Sequence, residues 1–231
     1  MTLGRWTSVA LVFVAAGVAA ACSRTSEGVP VAASSIEAST APLPGAPLPS
    51  GAGDQAPPGV VPTIQVPVPV DAVTCAAPGK PGTVVTAAVS DPTAPKITVA
   101  MPPGWNSSPG SGDVGARMDG PDGMSATVTI DPSGLDPAAA FRDYTDQVMS
   151  QSPVSSVSIL PGELCDYSGQ KLMGAWSDTP QNSIQFVDRI VHVWTNTKNF
   201  LVSVHVEAPT GVGQLDAAGQ LLTEDFEVRL P

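Results

Sequence analysis

Several residue classes are scarce in this chain of 231 residues. Charged residues make up 13% of it, against roughly 25% in an average protein. Only ten residues are Lys or Arg, and the formal net charge is −11. This balance excludes a general nucleic-acid binder, which must neutralise phosphates, and an anionic membrane surface would repel the chain. Three Cys and two His leave little material for a metal site or a thiol enzyme, so we expect no metal and no cofactor.

The N-terminus has the pattern of an export signal. An apolar run over residues 9–21 follows the single charge of Arg5. It is too short for a comfortable membrane span of about 20 residues but suits the central region of a signal peptide. The run ends at Cys22 after three alanines, which resembles a bacterial lipobox, although Leu is commoner at position 19. We therefore predict a signal peptide over residues 1–21 and acyl chains on Cys22.

Acyl chains on Cys22 would hold the protein on the extracytoplasmic face of the cell membrane, because each buried CH₂ contributes about 0.8 kcal/mol. The alternative is an ordinary secretory signal beside a free Cys.

Residues 22–72 are rich in Pro, Ala, Ser, Gly and Val. Repeated Ala-Pro-Leu-Pro and Val-Pro-Val-Pro stretches cannot pair into a sheet or continue a helix. The composition predicts a disordered, semi-extended tether that holds the folded part away from the bilayer. The alternative is a Pro-rich ligand for the groove of a partner protein.

Residues 73–231 are predicted to form one α+β domain. Strand patterns at 83–89, 96–101, 114–118, 125–130, 154–160, 171–176, 184–194, 200–208 and 227–230 are separated by turn signals. A helix is predicted from Pro137 to about residue 151, with Asp136 as its N-cap, and a second over 215–226. Because the strands are mostly hairpin-linked and the helices stand apart, we expect an antiparallel sheet flanked by two helices.

Five stretches of this region follow one another in a familiar order. They lie at residues 97–105, 135–140, 167–176, 200–206 and 225–228, and the most specific are Pro-Pro-Gly-Trp at 102–105 and Asp-Pro-Ala at 136–138. Together they resemble the LpqN/LpqT family of mycobacterial cell-envelope lipoproteins, which includes a Pro-rich secreted antigen branch. The resemblance covers residues 94–230 and implies a Mog1/PsbP-like fold. The chain departs from the family core at Cys75 and Cys165.

Cys75 and Cys165 remain as a pair once Cys22 carries lipid. Exported proteins meet an oxidising compartment, so the pair predicts a disulfide that closes a loop of about 90 residues. The competing interpretation is a catalytic thiol.

Enzyme signatures are largely missing from the chain. It has no Gly-x-Ser-x-Gly elbow, no His-Glu-x-x-His and no phosphate-binding glycine loop. Ser168 and Lys171 match Ser-x-x-Lys, but Ser168 is predicted in a turn, not on the helix that this motif requires. His192 and His205 lie on neighbouring predicted strands, and with Asp188 or Glu207 they offer a metal site as the alternative to ordinary strand histidines. We predict no catalytic residue and no metal ligand.

Trp105, Trp176 and Trp194 stand out in a domain that is poor in aromatic residues. They are candidate ligand-binding residues, since Trp stacks on sugar faces and acyl stems, and the alternative is that they fill the core. Trp105 follows a strand end, where pocket mouths often occur.

Two functions follow from these features. The resemblance and the anchor favour a non-enzymatic carrier of envelope glycolipids such as trehalose mycolates. The alternative is a surface antigen or adaptor that binds another protein.

Overall fold

The structure is a computed structural model that describes residues 56–77, 82–179 and 182–231. The predicted signal peptide, Cys22 and the first part of the tether lie outside these residues. These residues contain two α-helices, α1 (Pro137–Met149) and α2 (Leu215–Leu222). Eleven strands are numbered in chain order: β1 (Val73–Cys75), β2 (Thr83–Ala87), β3 (Lys96–Met101), β4 (Asn106–Pro109), β5 (Val114–Asp119), β6 (Ser125–Ser133), β7 (Val154–Pro161), β8 (Gly169–Thr179), β9 (Asn182–Trp194), β10 (Asn199–Pro209) and β11 (Glu227–Arg229).

The strands form two antiparallel sheets. The larger has the order β4-β5-β6-β10-β9-β8-β7 and the smaller the order β1-β11-β3-β2. The α+β class is as expected, but the single expected sheet is divided in two. The division arises because the last strand, β11, pairs with β3 and with β1 near the start of the domain.

The main core lies between the two sheets. Along β10, Phe200, Val202, Val204 and Val206 are all fully buried on this side. They pack with residues of the smaller sheet and of α2 in one apolar cluster. Helix α2 approaches β9 closely at Gly219, where an added Cβ would lie 3.3 Å from the Val187 side chain. Burying this alternating apolar row against a second layer is what holds the sheets together.

Helix α1 covers the opposite face of the larger sheet. It begins where the sequence predicts: the Asp136 carboxylate accepts a hydrogen bond from the Ala139 N–H (2.9 Å), and Pro137 occupies the first turn. Phe141, Thr145 and Val148 recur at helical spacing and are buried against the sheet. Within the described ranges, neither helix is long and apolar enough to cross a membrane.

Residues 57–68, which we call the strap, run across one end of the larger sheet. Ser168 Oγ lies 3.0 Å from Val61 N and 2.9 Å from Val61 O, and the Asn196 side chain bonds both backbone groups of Val68. The strap forms no helix or strand, but these bonds hold it on the domain, whereas the sequence predicts a disordered tether as far as residue 72. Side chains of the domain thus satisfy the backbone groups of the end of the Pro-rich segment.

Cys75 and Cys165 form the predicted disulfide, with their Cα atoms 5.9 Å apart. Cys75 ends β1, and Cys165 lies in the turn that precedes β8. The bond therefore ties the smaller sheet to the end of the larger one.

Candidate ligand cleft between helix α1 and the sheet

The path of α1 leaves a cleft open on the sheet. In the chain, α1 follows β6 and precedes β7, which is an edge strand of the larger sheet. The helix packs on β7, β8 and β9. The outward-facing rows of β6 and β10 are therefore only partly covered. The resulting cleft has a volume of about 390 Å³. It is lined by residues of β6, β8, β10 and the α1 region, namely Thr127, Thr129, Asp131, Asp143, Tyr144, Gln147, Val148, Gln151, Trp176, Leu201, Ser203, His205 and Glu207.

Two periodicities bring these side chains together. On β10, Leu201, Ser203, His205 and Glu207 alternate with the buried apolar row and so share one face. In the α1 region, Tyr144, Gln147, Val148 and Gln151 have the spacing i, i+3, i+4, i+7 and line the opposite wall.

A chain of hydrogen bonds crosses the floor of the cleft. The Asp188 carboxylate on β9 is fully buried and accepts from the Tyr144 hydroxyl (3.0 Å) and from His205 Nδ1 (2.6 Å). His205 Nε2 lies 3.4 Å from Glu207 Oε2, and the Ser125 hydroxyl donates to the other oxygen of Glu207 (3.1 Å). The pairing of β9 with β10 explains the arrangement, because Asp188 stands directly opposite His205.

The protonation of His205 decides what this chain can do. Burial alone would lower the pKa of His205, but hydrogen bonds and the charges of Asp188 and Glu207 raise it to about 9. The imidazole is thus protonated at neutral pH, and both ring nitrogens act as donors. It then has no lone pair with which to act as a general base. Tyr144 also stays protonated, because burial and the Asp188 charge raise its pKa well above its ordinary value.

Trp176 lies beside this charged group. Its ring centroid is 5.7 Å from that of His205, with the planes within 6°, and 4.7 Å from that of Phe186. A protonated imidazole over an indole is a cation–π arrangement. The contact fixes the orientation of Trp176 at the wall of the cleft.

The two histidines do not meet. The strand register places His192 opposite Leu201 and His205 opposite Asp188, so they are separated along the same face. Burial lowers the pKa of His192, whose Nε2 lies 3.1 Å from the Leu135 carbonyl oxygen. In the described part of the chain no group of three or more His, Cys, Asp or Glu side chains could hold a metal ion.

The other two predicted tryptophans lie elsewhere. Trp194 lines a second cleft of about 160 Å³, formed by the strap with Tyr167 and the end of the sheet. Trp105, which was expected at a pocket mouth, is 6% exposed and packs in the main core against Gly120. The three tryptophans therefore do not form one site, and only Trp176 reaches the α1 cleft.

From the sequence, Asp188 and Glu207 were expected beside His205 only as alternative metal ligands, and the hydrogen bond from Tyr144 to Asp188 was missed. Asp188 is a carboxylate in a strand that is otherwise buried, and a buried charge requires partners. That signal was available, but the partner depends on the strand register.

Comparisons with known proteins add a likeness of fold. No family model matches the chain, and no curated protein is significantly similar in sequence. Among solved structures, the chain is similar to LpqN of Mycobacterium tuberculosis, whose crystal structure is described as that of a protein involved in cell envelope biogenesis. The TM-score is 0.50 at 16% sequence identity, and the match covers 64% of this chain and 91% of that one. The α+β fold is therefore shared with LpqN.

Proposed function

We propose that this protein is a cell-envelope lipoprotein of the LpqN/LpqT type that binds an envelope glycolipid, such as a trehalose mycolate, in the α1 cleft. The observation that carries the proposal is the cleft itself, in which Trp176 stands beside hydroxyl, amide and carboxylate side chains. The shared fold with a protein of cell envelope biogenesis supports the envelope setting. The predicted acyl chains on Cys22 would anchor the protein to the extracytoplasmic face of the cell membrane.

The lining of the cleft suits a sugar headgroup that carries an acyl chain. Gln147 and Gln151 both donate and accept hydrogen bonds, Thr127 and Thr129 offer hydroxyls, and the carboxylates accept from sugar hydroxyls. Trp176 provides an aromatic surface for a sugar face. Val148 and Leu201 provide apolar contacts for the first methylenes of an acyl chain. A volume of about 390 Å³ lies in the usual range for small-molecule sites and would hold the headgroup with the start of its tail.

We infer binding without catalysis. The protonated His205 is held between two carboxylates and takes no proton at neutral pH. Ser168, the one hydroxyl with a catalytic pattern in the sequence, is engaged by both backbone groups of Val61. No cofactor, metal or nucleic acid enters this proposal.

A protein-binding adaptor is the second candidate. Val154, Leu160 and Met173 are exposed on the edge strand β7 and on its neighbour β8, on the side away from α1. Exposed apolar side chains beside an unpaired strand edge are typical of a surface that receives another protein.

Native mass spectrometry on the full chain from a mycobacterial host tests the proposal. We expect an added mass that is recovered as glycolipid in the organic extract. Trp176→Ala should lose most of this mass, because the indole forms the wall of the cleft. Trp194→Ala is the matched control, since Trp194 lines the other cleft, and it should retain the lipid. A native protein with no added mass beyond its covalent acyl chains would contradict lipid carriage. Capture of a protein partner that depends on Val154 and Leu160 would then support the adaptor.

A further inference from the structure

The charged groups that face the α1 cleft are mainly negative. Asp131 stands on β6, Asp143 on α1 and Glu207 on β10, and the buried Asp188 lies beneath them. None of the described residues that line the cleft is Lys or Arg. Its one cationic side chain is His205.

The charge of His205 is not available to a ligand. Nδ1 bonds Asp188 at 2.6 Å and Nε2 faces Glu207 at 3.4 Å, so each N–H of the protonated ring already points at a carboxylate. An incoming anion would have to displace one of these carboxylates. The surplus negative charge therefore decides how the cleft meets a charged ligand.

Glu207 is the best fixed of the carboxylates that reach the cleft. Ser125 holds one of its oxygens and His205 the other. The hydrogen bond from His205 lowers the pKa of Glu207, so its side chain is ionised at neutral pH. An ionised carboxylate only accepts hydrogen bonds, and its remaining lone pairs suit a donor such as a sugar hydroxyl. A phosphate or sulfate oxygen offers no such donor.

The mouth of the cleft already contains like-charge repulsion. Partial desolvation of its carboxyl raises the pKa of Asp131, and the nearby charges of Asp113 and Asp143 raise it further. The negative potential that penalises the ionised form of Asp131 would also penalise an anionic headgroup at the same place.

We propose that the cleft selects lipids with an uncharged, hydroxyl-rich headgroup and excludes those that carry phosphate or sulfate, with Glu207 as a specificity-determining residue. This inference rests on the proposed function and adds the class of headgroup to it. Specificity here comes from repulsion of the wrong ligand as much as from contacts with the right one.

Two probes that differ in one charge test the inference. They are 6-O-octanoyl-trehalose and its 6′-sulfate, titrated calorimetrically into the purified full chain. We expect the sulfate to bind at least about tenfold more weakly, because like charges placed together in a binding site are costly. In Glu207→Gln the ratio of the two affinities should fall at least about threefold, since the variant removes one of the negative charges that repel the sulfate.

Two further variants make the test specific. Glu227→Gln makes the same change of charge on β11 of the smaller sheet and should preserve the discrimination. Asp131→Asn alters a residue at the mouth that is only partly desolvated, so it provides a variant that folds if Glu207→Gln does not. It should also reduce the difference in affinity between the two probes.

The outcomes separate this inference from the proposed function. Equal binding of the two probes to the unaltered protein overturns the inference and leaves glycolipid binding intact. A difference that Glu207→Gln leaves unchanged, or that Glu227→Gln narrows equally, overturns the role of Glu207. Failure of both probes to bind overturns the proposed function and the inference with it.

Discussion

The two faces of the larger sheet differ although the same strands form both. On β10, Phe200, Val202, Val204 and Val206 point to one side and are fully buried. The alternate residues, which include His205 and Glu207, point to the other side and form the floor of the cleft. One face thus excludes water, while the other organises polar groups around a space.

The two faces are covered to different extents. The smaller sheet and α2 together cover the apolar face. On the other face, α1 and the sheet together form a small cluster of five buried residues, namely Phe141, Val148, Leu172, Phe186 and Ile190. Beside that cluster, the buried Asp188 carboxylate accepts hydrogen bonds from Tyr144 and His205. Because the apolar face supplies most of the buried hydrophobic surface, the opposite face can carry a partly open site without unfolding the sheet.

Neighbouring residues of β10 give the most direct test of this difference. Phe200→Ala should lower the free energy of unfolding by about 3–5 kcal/mol, because it leaves a large cavity in the main core. Leu201→Ala removes a half-buried side chain at the edge of the cleft, where water can enter, and should cost about 1 kcal/mol. Urea unfolding followed by circular dichroism measures both values. Equal losses of unfolding free energy in the two variants would show that the two faces contribute equally to stability.

The disulfide offers a second test, because it is located at the end of the main core. Replacing both Cys75 and Cys165 by Ser should cost about 2–4 kcal/mol, since the unfolded chain loses a cross-link around a long loop. The loss should appear in β1 and β11 first, because the bond attaches β1 to the rest of the domain.

Hydrogen exchange measured by mass spectrometry locates the effect of the double Ser variant. Faster exchange in β1 and β11 with unchanged protection of α1 agrees with the difference between the faces. Faster exchange confined to α1 would contradict it.

The features predicted correctly from the sequence are set by local chemistry. The alternation along β10 separated its two faces, and Asp136 followed by Pro137 fixed the start of α1, because each pattern depends on residues close in the chain. The disulfide was also predicted, since lipidation of Cys22 would leave one pair of cysteines in an oxidising compartment.

The features that were missed depend on distant pairing. Strand β1 has three residues and gains its place by pairing with β11, far along the chain. The sequence offered Asp188 and His205 only as alternative metal ligands. Their direct hydrogen bond follows from the β9–β10 register, which the packing of the whole sheet determines. Strand β4 is a run of Asn, Ser and Pro without an apolar alternation, so nothing local marked it as a strand.

The pH dependence of stability also distinguishes the two faces, because the cleft face contains a histidine with a raised pKa. The pKa of His205 is about 9 in the folded protein, against an ordinary value of 6.5. The folded state therefore binds the proton more tightly than the unfolded state does. The stabilisation is fully present below about pH 6.5 and is lost as the pH rises towards 9. We expect the loss to be about 1 kcal/mol, since the imidazole is 23% exposed and water weakens the ion pairs.

Unfolding free energies measured between pH 6.5 and 9.5 would show this decline, and His205→Gln should flatten it while keeping a donor for Asp188. His192→Gln is the matched control on the same face. Burial lowers the pKa of His192, so the folded side chain is neutral over this range. The unfolded side chain loses its proton near pH 6.5, so above about pH 7.5 both states are neutral and removal of His192 should leave the slope unchanged. If the decline persists in His205→Gln, the charge of His205 does not stabilise the fold. The cleft face would then depend for its stability on the apolar contacts of α1 with the sheet.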